Sequence, residues 1–558
     1  MIWIRFVLFL AFGYSLYLSI TTPLLFVLVV VFFATFLFAI KRNGNLLREK
    51  TRIKMTLWVL AQELKALNNE STGWYNGERF LKQNSSASDL DLFGTFSLYH
   101  LINRSSLEQG EEILAKQLND CCTDETTILM RQHCIQEYSL ANEFRREWQV
   151  SAQLLEDKRE FGKKFGSDMQ KYFQNKLLHF FLPVALTLFF LFSATYFWLE
   201  GNYVFLVTAI VVNLNYVGFH LKKINALHNR VSGFNKQIQN YTSLVETYLS
   251  QKWKTPLNHE NKNRLHEADK AFRELEKITE RFDRRMNLLL AVSFNAACLY
   301  DIFLSRQLEA WETKYASRMK EWMAVLADID AGQSLGNYQY NFGGVHPIIS
   351  KGNVLEFENL GHPLISAKKR IANSYKLQHP EKIVLITGSN MSGKSTFLRS
   401  IGLNLIMAQA GLPVCANKFL FTPMRLCSSL RQSDSLENNV SLFHAELLRL
   451  KEIRETLSDG KLTLVLLDEI LKGTNSEDKL HGSEKLIEEF LKENIIGFIA
   501  THDLALGEME KKYSPGIKNA CFESVIEKNE LLFDYKLKEG VARNKNATFL
   551  LKKLQIIP

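Results

Sequence analysis

The sequence lacks the cysteine patterns that mark zinc sites and disulfide frameworks. Its cysteines number seven in 558 residues, and none forms a C-x-x-C pair with a matching second pair. We therefore expect no metal site of this kind, and reduced thiols in a reducing compartment. The adjacent Cys121 and Cys122 are better explained by packing than by chemistry.

A strong charge of either sign is also missing. The formal net charge is only +9, from 68 basic and 59 acidic residues. A membrane protein with basic cytoplasmic flanks shows such an excess, and so does a nucleic-acid-binding protein. On charge alone we favour the membrane explanation. The length leaves room for roughly three or four domains.

Long apolar runs, in contrast, are present in two pairs. Residues 2–20 and 23–40 form the first pair, and each run gives roughly enough helix to cross a ~30 Å hydrocarbon core. A cleaved signal peptide is the alternative, although its apolar stretch is typically ~7–15 residues and here a second run follows at once. Basic residues after the second run predict that this side is cytoplasmic: Lys41, Arg42, Arg48, Lys50, Arg52 and Lys54.

The second pair lies at residues 177–199 and 203–219, joined by Glu200-Gly201-Asn202. Basic residues flank both outer ends, and aromatic residues near the ends suit a bilayer interface. A buried hairpin inside a large helical domain is the alternative. Four spans with short outer turns predict a multi-pass protein of the inner (cytoplasmic) membrane, with the rest of the chain in the cytoplasm.

Outside these runs the pattern is first helical and then mixed. Residues 271–303 contain no proline or glycine and predict a long amphipathic arm. Strand and helix signals alternate in the last third of the chain, as an α/β domain requires. The sequence therefore predicts an α plus α/β protein in five parts: a transmembrane hairpin at 1–41, a helical core and lever at 42–176, a second hairpin at 177–219, further lever and core at 220–345, and an α/β domain at 346–558.

The stretch KIVLITGSNMSGKSTFLRS has the form of a strand, a glycine-rich loop and a helix. It satisfies G-x-x-x-x-G-K-[ST] with Gly388, Gly393, Lys394 and Ser395. Glycines let backbone N–H groups turn toward phosphates, and the start of the following helix adds its positive dipole end. Lys394 would neutralise phosphate oxygens, and Ser395 would offer its hydroxyl to Mg²⁺. The stretch predicts nucleotide binding.

Two further buried strands end in polar residues suited to hydrolysis. KLTLVLLDEI ends with Asp468, which can hold Mg²⁺ through water, and Glu469, which can orient and deprotonate the attacking water. GFIATHD ends with His502, which could sense the γ-phosphate. This motif order is typical of ATPases that close as dimers over two shared nucleotides. The capping serine from the partner would be Ser441, although a serine at a helix start is also a common cap.

Four motifs together resemble the MutS family, the ATPases known for DNA mismatch recognition: TGSNMSGKST, SLENNVSLFHAEL, LLDEILKGTNSED and ATHD. Ser389, Leu442 and Lys472 stand where the family usually has proline, threonine and arginine, and none of these changes removes a catalytic group. Asn438-Asn439-Val440 also departs from the usual Ser-Gly-Arg before Ser441. The stretch DLFGTFSLYHLINRSSLEQGEEILAKQL resembles the entry into the family's helical core and lever. The similarity covers most of residues 88–176 and 265–558.

The resemblance implies an ABC-like (MutS-type) P-loop ATPase domain with a defined set of site residues. In GHPLISAKKRIANSYKL, the pair His362-Pro363 and the residues Ile371, Ala372 and Asn373 would lie near the adenine of ATP. Tyr535 would stack on it. Glu469, Lys394 and His502 would be catalytic, Ser395 and Asp468 would hold Mg²⁺, and Ser441 would act in trans in a homodimer. The phosphate loop would comprise Gly388, Ser389, Asn390, Met391, Ser392, Gly393, Lys394, Ser395 and Thr396.

The family's mismatch reader, a separate N-terminal α/β domain with a Phe-x-Glu wedge, is not expected here. Residues 1–41 are the expected membrane hairpin, the second apolar hairpin interrupts the lever region, and no nuclease domain is expected after the ATPase. The resemblance thus predicts a membrane-anchored, MutS-like ATPase that moves its lever helices, with double-stranded or branched DNA or another protein as its target.

Two other functions stay open. A DNA-structure-binding repair protein without a mismatch reader agrees with the resemblance. A transport ATPase of the ABC type would place membrane spans and a nucleotide domain in one chain, but the LSGGQ-type signature is missing and four spans offer little pathway.

Overall fold

The structure is a computed structural model that describes residues 2–22, 26–83, 85–155, 171–285, 288–431, 442–471, 476–527 and 530–543. Within these described residues, the regular elements up to residue 342 are helices. Two β-sheets with flanking helices follow. The α plus α/β class expected from the sequence is confirmed.

The N-terminal helices are α1 (Ile2–Thr21) and α2 (Phe26–Leu67), which pack against each other. The expected boundary at residue 41 falls inside α2, because this helix runs without a break from its apolar first half into a polar second half. The second half docks on the helical core, where Val59 is buried with Trp74 and Val150. One rigid helix therefore joins the first apolar segment to the core.

The helices of the middle region follow in chain order: α3 (Ser85–Asp89), α4 (Leu98–Ile102), α5 (Glu108–Asn119), α6 (Glu125–Leu140), α7 (Asn142–Gln153), α8 (Leu182–Glu200), α9 (Val204–Val231), α10 (Asn235–Leu249), α11 (Pro256–Arg284), α12 (Leu288–Cys298) and α13 (Tyr300–Phe342). A 3₁₀ turn (Glu78–Gln83) precedes α3, and a π-helical turn (Leu177–Phe181) leads into α8. The segment from α3 to α5 shares one hydrophobic core with the C-terminal sheets, since Leu90, Tyr99 and Leu114 pack in the same cluster as Ile386 and Phe498.

Among the described residues, three helical stretches are long and apolar enough to cross a bilayer: Val27–Leu67, Leu177–Glu200 and Val204–Val231. Helix α1 is 20 residues long, and its described apolar stretch is Phe6–Ser19. The expectation of four spans stays a prediction. A fourth candidate arises elsewhere, from α12 and α13 taken together as one broken span.

The amphipathic arm expected over residues 271–303 is not one helix. Helix α11 ends at Arg284, and α12 meets α13 at an angle of 87°. The polar pattern of α11 stops there, because α12 is the apolar sequence LLLAVSFNAAC. The expectation of a continuous arm was therefore wrong over this stretch.

Helix α13 joins the helical region to the C-terminal sheets. Its 43 residues extend over about 64 Å at 1.5 Å per residue. Leu308, Trp311 and Tyr315 lie in the core of the helical region, whereas Ala331 and Leu335 lie in the core that the sheets share. Both cores are thus built on one helix.

The C-terminal region contains two sheets. The smaller has the order β1-β5-β2-β3, and the larger has the order β10-β9-β4-β8-β7-β6. The strands are β1 (Ile348–Ile349), β2 (Leu355–Leu360), β3 (Asn373–Leu377), β4 (Ile383–Gly388), β5 (Lys418–Phe421), β6 (Arg425–Ser429), β7 (Thr463–Asp468), β8 (Ile495–Thr501), β9 (Ile517–Glu527) and β10 (Glu530–Glu539). The flanking helices are α14 (Lys394–Gln409), α15 (Leu442–Leu457), α16 (Ser476–Lys492) and α17 (Met509–Tyr513).

The larger sheet is parallel from β6 to β9, and its central strands are buried on both faces. Thr387 at the end of β4 pairs with Thr501 of β8, and Asp468 at the end of β7 pairs with Ala500 of β8. Since the carboxyl ends of parallel strands meet at one edge, the three polar motifs come together there.

Candidate active site

The glycine loop after β4 has two positions that only glycine fits. A Cβ on Gly388 would lie 2.6 Å from the carbonyl oxygen of Phe522 on β9. Gly393 has φ +104°, and a Cβ there would lie 3.0 Å from the Tyr535 ring. The loop is therefore held close to the sheet on one side and to the Tyr535 side chain on the other.

Lys394 begins α14, and its side chain folds back into the loop. Its Nζ donates to the carbonyls of Gly388 and Ser389, at 2.8 and 2.9 Å. Although Lys394 is buried, these contacts keep its positive charge within the loop that the sequence predicts to bind phosphates. Ser392 is buried beside it, and its Oγ would lie 3.0 Å from a Cβ on Gly388.

Ser395 and Asp468 are in direct contact. The hydroxyl of Ser395 donates to the Asp468 carboxylate, although the two residues are 73 positions apart in the sequence. Hydroxyl and carboxylate oxygens are the ligands that Mg²⁺ prefers, so this pair fits the ion predicted from the sequence. Glu469 follows in the left-handed region, with φ +55°, and its N–H donates to the Ala500 carbonyl at 2.9 Å.

His502 lies beside Glu469. Its Nδ1 is 3.6 Å from Oε1 of Glu469, and its Nε2 is 3.5 Å from Nζ of Lys479. Its side chain is half-exposed. The geometry joins His502 to the expected base rather than directly to the loop.

A cavity of about 340 Å³ opens in front of the loop. Most of the sequence-predicted site residues line it: Ile371, Asn373, Asn390, Met391, Ser392, Gly393, Lys394, Ser395, Thr396, Glu469 and Tyr535. Gly388, Ser389, Asp468 and His502 lie next to these residues without lining the cavity. Ser441 lies outside the described residues, as does Lys472.

Asn373 and Tyr535 form part of the cavity wall beside the loop. The side chain of Asn373 donates to the Tyr535 carbonyl at 3.0 Å and accepts from the Leu537 N–H at 2.8 Å. Tyr535 lies in an irregular part of the β9–β10 pairing with φ +52°, which turns its ring toward Gly393. Lys536 donates to the Ala372 carbonyl at 2.7 Å. Two segments distant in sequence thus meet in one part of the cavity wall.

Comparison with known proteins agrees with this geometry. The family model described as MutS domain V matches residues 384–557, which include the loop, Asp468, Glu469 and His502. This match and the relatives below support membership of the MutS family. It is 32% identical over 220 residues to a protein of Thermotoga petrophila named DNA mismatch repair protein MutS, covering 39% of this chain and 27% of the relative.

Two further relatives show how far the similarity extends. A DNA mismatch repair protein MutS of Aquifex pyrophilus is 28% identical over 330 residues, covering 58% of this chain and 37% of the relative. An endonuclease MutS2 of Thermus thermophilus is 34% identical over 206 residues, covering 37% and 27%. The matched part thus spans between about a quarter and two fifths of the length of these curated relatives.

Two more residues belong to this site: His362, from the His-Pro pair expected near the adenine, and Arg370, which was not predicted from the sequence. His362 and Arg370 line the cavity. Burial, and next the nearby Arg399 charge, lower the pKa of His362 to about 4, so its imidazole is neutral at pH 7. Arg370 donates to the Ile365 carbonyl and so holds the loop before β3. The His-Pro pair in GHPLIS was thus correctly expected at the site, whereas no sequence pattern indicates the position of Arg370.

Glu446 of α15 was also missed. Its Oε1 accepts from the backbone N–H of Leu471 at 2.6 Å, where Leu471 has φ +58°. The contact fixes the turn that follows Asp468 and Glu469. The signal was present in the SLFHAEL stretch, where Glu446 belongs to the family-like motif.

Proposed function

We propose that this chain is a membrane-anchored MutS-type ATPase that binds and hydrolyses ATP and uses the cycle to move its helical lever. The contact between Ser395 and Asp468, with Glu469 next in sequence, carries the proposal. The proposal is supported by the strand order, which brings Ser395, Asp468 and Glu469 together beside one cavity. Such a convergence of polar groups at the strand ends of a sheet is suited to hydrolysis of a bound phosphate.

Each residue has a defined part in this proposal. Ser395 and Asp468 would hold Mg²⁺, which neutralises phosphate charge when bound. Lys394 exchanges its loop carbonyl contacts for phosphate oxygens, and the backbone N–H groups of the loop donate to them. Glu469 accepts a proton from the attacking water, and His502, 3.6 Å away, senses the γ-phosphate and orients that carboxylate.

The adenine would lie at the other end of the cavity. Ile371 offers an apolar surface, and the Tyr535 ring offers a face for stacking. We also propose that two chains close over two nucleotides, with Ser441 of each chain acting on the nucleotide of the other. The resemblance of the motif order to dimeric ATPases supports this arrangement.

The lever part of the proposal is supported by α13. Its C-terminal half is embedded in the core of the ATPase region, and Glu309 near its other end binds the backbone N–H groups of Tyr172 and Phe173 at 2.5 and 2.9 Å. Tyr172 and Phe173 lie a few residues before the π-helical turn that leads into the apolar hairpin α8–α9. A rotation of α13 at the ATPase would therefore move the base of that hairpin.

Membrane anchoring is supported by the exposed apolar surface of the hairpin. Leu191 and Phe192 of α8 and Phe205 and Val211 of α9 face outward. Contiguous apolar surface of this extent on two adjacent helices is typical of contact with lipid. We propose a multi-pass location in the cytoplasmic membrane, with the ATPase in the cytoplasm.

The decisive experiment is the variant Glu469→Gln in full-length, detergent-purified protein. Loss of the base should lower kcat about 10²–10⁴-fold while ATP still binds. Glu508→Gln is the matched control, because Glu508 is exposed and bonded only to Lys511 among the contacts described for it. Undiminished turnover in Glu469→Gln would remove Glu469 from its role.

A second candidate function is DNA-structure binding in repair, with duplex or branched DNA as the partner. It is favoured by the relatives named DNA mismatch repair protein MutS. The same purified protein should then hydrolyse ATP faster with duplex, mismatched or branched DNA, and the stimulation should weaken as salt rises. A response that is flat across these DNAs would favour a protein or membrane partner instead.

A further inference from the structure

Helix α12 is apolar on all sides, yet it is not buried. Its sequence LLLAVSFNAAC contains no charged residue. Leu289 is 80% exposed, Val292 46% and Phe294 50%. A helix that is apolar all round normally lies inside a protein or a membrane. The exposed face of α12 therefore needs an apolar environment outside the chain.

The surface next to α12 is the apolar hairpin. Helix α12 packs against both α8 and α9. Asn213, fully buried within the apolar run of α9, donates from Nδ2 to the Ala296 carbonyl at 2.7 Å. Asn213 is six residues, or about 9 Å, before the end of that run at Phe219. The C-terminal part of α12 therefore lies level with the apolar interior of the hairpin.

The corner between α12 and α13 is stabilised by specific contacts within the chain. Leu299 is fully buried with φ +47°, and the side chain of Asn295 accepts from the Asp301 N–H at 2.9 Å. Asp301 is buried and bonded to Arg285, so its charge is paired. Backbone that leaves a helix inside a bilayer needs such internal partners, because no water is there to replace them.

The first turns of α13 lead back to the bilayer surface. Arg306 reaches the His179 carbonyl at 3.5 Å and stacks over the Phe180 ring at 4.8 Å. His179 and Phe180 lie at the start of the hairpin, where basic flanks mark the cytoplasmic side. An eleven-residue helix is about 16 Å long and cannot cross a ~30 Å core alone.

We propose that residues 288–305 form a re-entrant membrane segment, with lipid chains of the cytoplasmic leaflet covering Leu289, Val292 and Phe294. The occupant is lipid because the exposed face continues the apolar surface of α8 and α9, and because arginines rather than apolar residues stand on both flanks, at 281, 284 and 306. The lever helix α13 then starts inside the membrane. This inference rests on the membrane location proposed above.

Spin labels test the proposal in full-length protein reconstituted in liposomes. Labels are placed singly at Leu289→Cys and Phe294→Cys, in a background with Cys121, Cys122, Cys298 and Cys415 replaced by serine. Power saturation then compares the accessibility of each label to oxygen, which concentrates in lipid, and to a water-soluble nickel chelate. Leu191→Cys on α8, 54% exposed, is the hairpin reference, and Leu140→Cys at the end of α6, 78% exposed, is the water reference. Retained ATP turnover shows that each variant is folded.

The expected result is that labels at 289 and 294 match the label at 191, with oxygen access exceeding nickel access, while the label at 140 shows the reverse. Labels at 289 and 294 that behave like 140 while 191 stays in lipid would overturn the inference and leave the membrane location intact. Labels shielded from both reagents would mean that protein, such as a second copy, covers α12, and would also overturn it. If 191 itself lies in water, the membrane location fails as well.

Discussion

The two ends of α13 hold their neighbours in different ways. At the ATPase end, Asp330 is fully buried and accepts from the N–H groups of Ser106 and Leu107 and from the Trp148 indole, at 2.8–2.9 Å. At the other end, next to the apolar hairpin, Arg306, Glu309 and Glu312 extend from one side of the helix to the two ends of the hairpin. The first set of contacts lies within a packed core, whereas the second joins the helix to an element with an exposed apolar surface.

The contacts of Asp330 thus fix α13 within the core, whereas those of Glu309 and Glu312 couple the helix to the hairpin. Asp330 joins α13 to the α4–α5 connection and to α7, so that the core moves as one piece with the ATPase region. Glu309 binds two backbone N–H groups, and Glu312 pairs with Arg230 after the hairpin at 3.3 Å, so that both ends of the hairpin follow the same helix. Loss of the Asp330 contacts should therefore destabilise the whole fold. Loss of the contacts at the hairpin end of α13 should weaken only the attachment of the hairpin to this helix.

The largest effect is expected from Asp330→Ala. Three buried donors lose their acceptor, and leaving such groups unpaired should lower the free energy of unfolding by about 3–5 kcal/mol. The measurement is the thermal midpoint of the full chain in detergent, with Glu321→Ala as the control on the same helix, since Glu321 is exposed. A midpoint equal to that of the control would show that Asp330 does not fix the core.

A smaller and local effect is expected from Glu309→Ala. The N–H groups of Tyr172 and Phe173 lose their acceptor, at a cost of about 1–3 kcal/mol in local stability. Hydrogen exchange at residues 171–176 should then become faster, with the same Glu321→Ala control, while exchange in the ATPase sheet stays unchanged. If exchange rises equally at both ends of α13, the two ends are not independent in the way that the contacts indicate.

The same contrast explains what could be predicted from the sequence. The loop from Gly388 to Thr396 and the pair Asp468 and Glu469 follow from short motifs, because the chemistry needs those residue types at fixed spacings. The corner at Leu299 could not be predicted. A left-handed, fully buried leucine is held there by contacts of the folded chain, among them the one between Asn295 and Asp301, and no glycine or proline marks it.

Similar reasons apply elsewhere. The continuation of α2 past residue 41 depends on Val59 packing with Trp74 and Val150, which are distant in sequence. Glu446 stands in the family-like SLFHAEL stretch, but its acceptor role toward the Leu471 N–H depends on the folded chain and cannot be predicted from that stretch. Conversely, Tyr535 could be proposed from a resemblance, and the structure places its ring against the loop because an irregular strand turns it there.

The smallest effect is expected from Tyr535→Ala, in the cavity proposed to bind the nucleotide. Loss of the ring removes one wall of the cavity, and the Kd for a fluorescent ATP analogue should rise about tenfold, or ~1.4 kcal/mol. Tyr535→Phe is the matched control and should bind normally, since stacking needs the ring and not the hydroxyl. Hydrogen exchange at residues 171–176 should not change in either variant, because the Tyr535 side chain does not connect the two ends of α13. An unchanged Kd in Tyr535→Ala would place the adenine elsewhere in the cavity, and faster exchange at 171–176 would show that the two ends communicate through the nucleotide site itself.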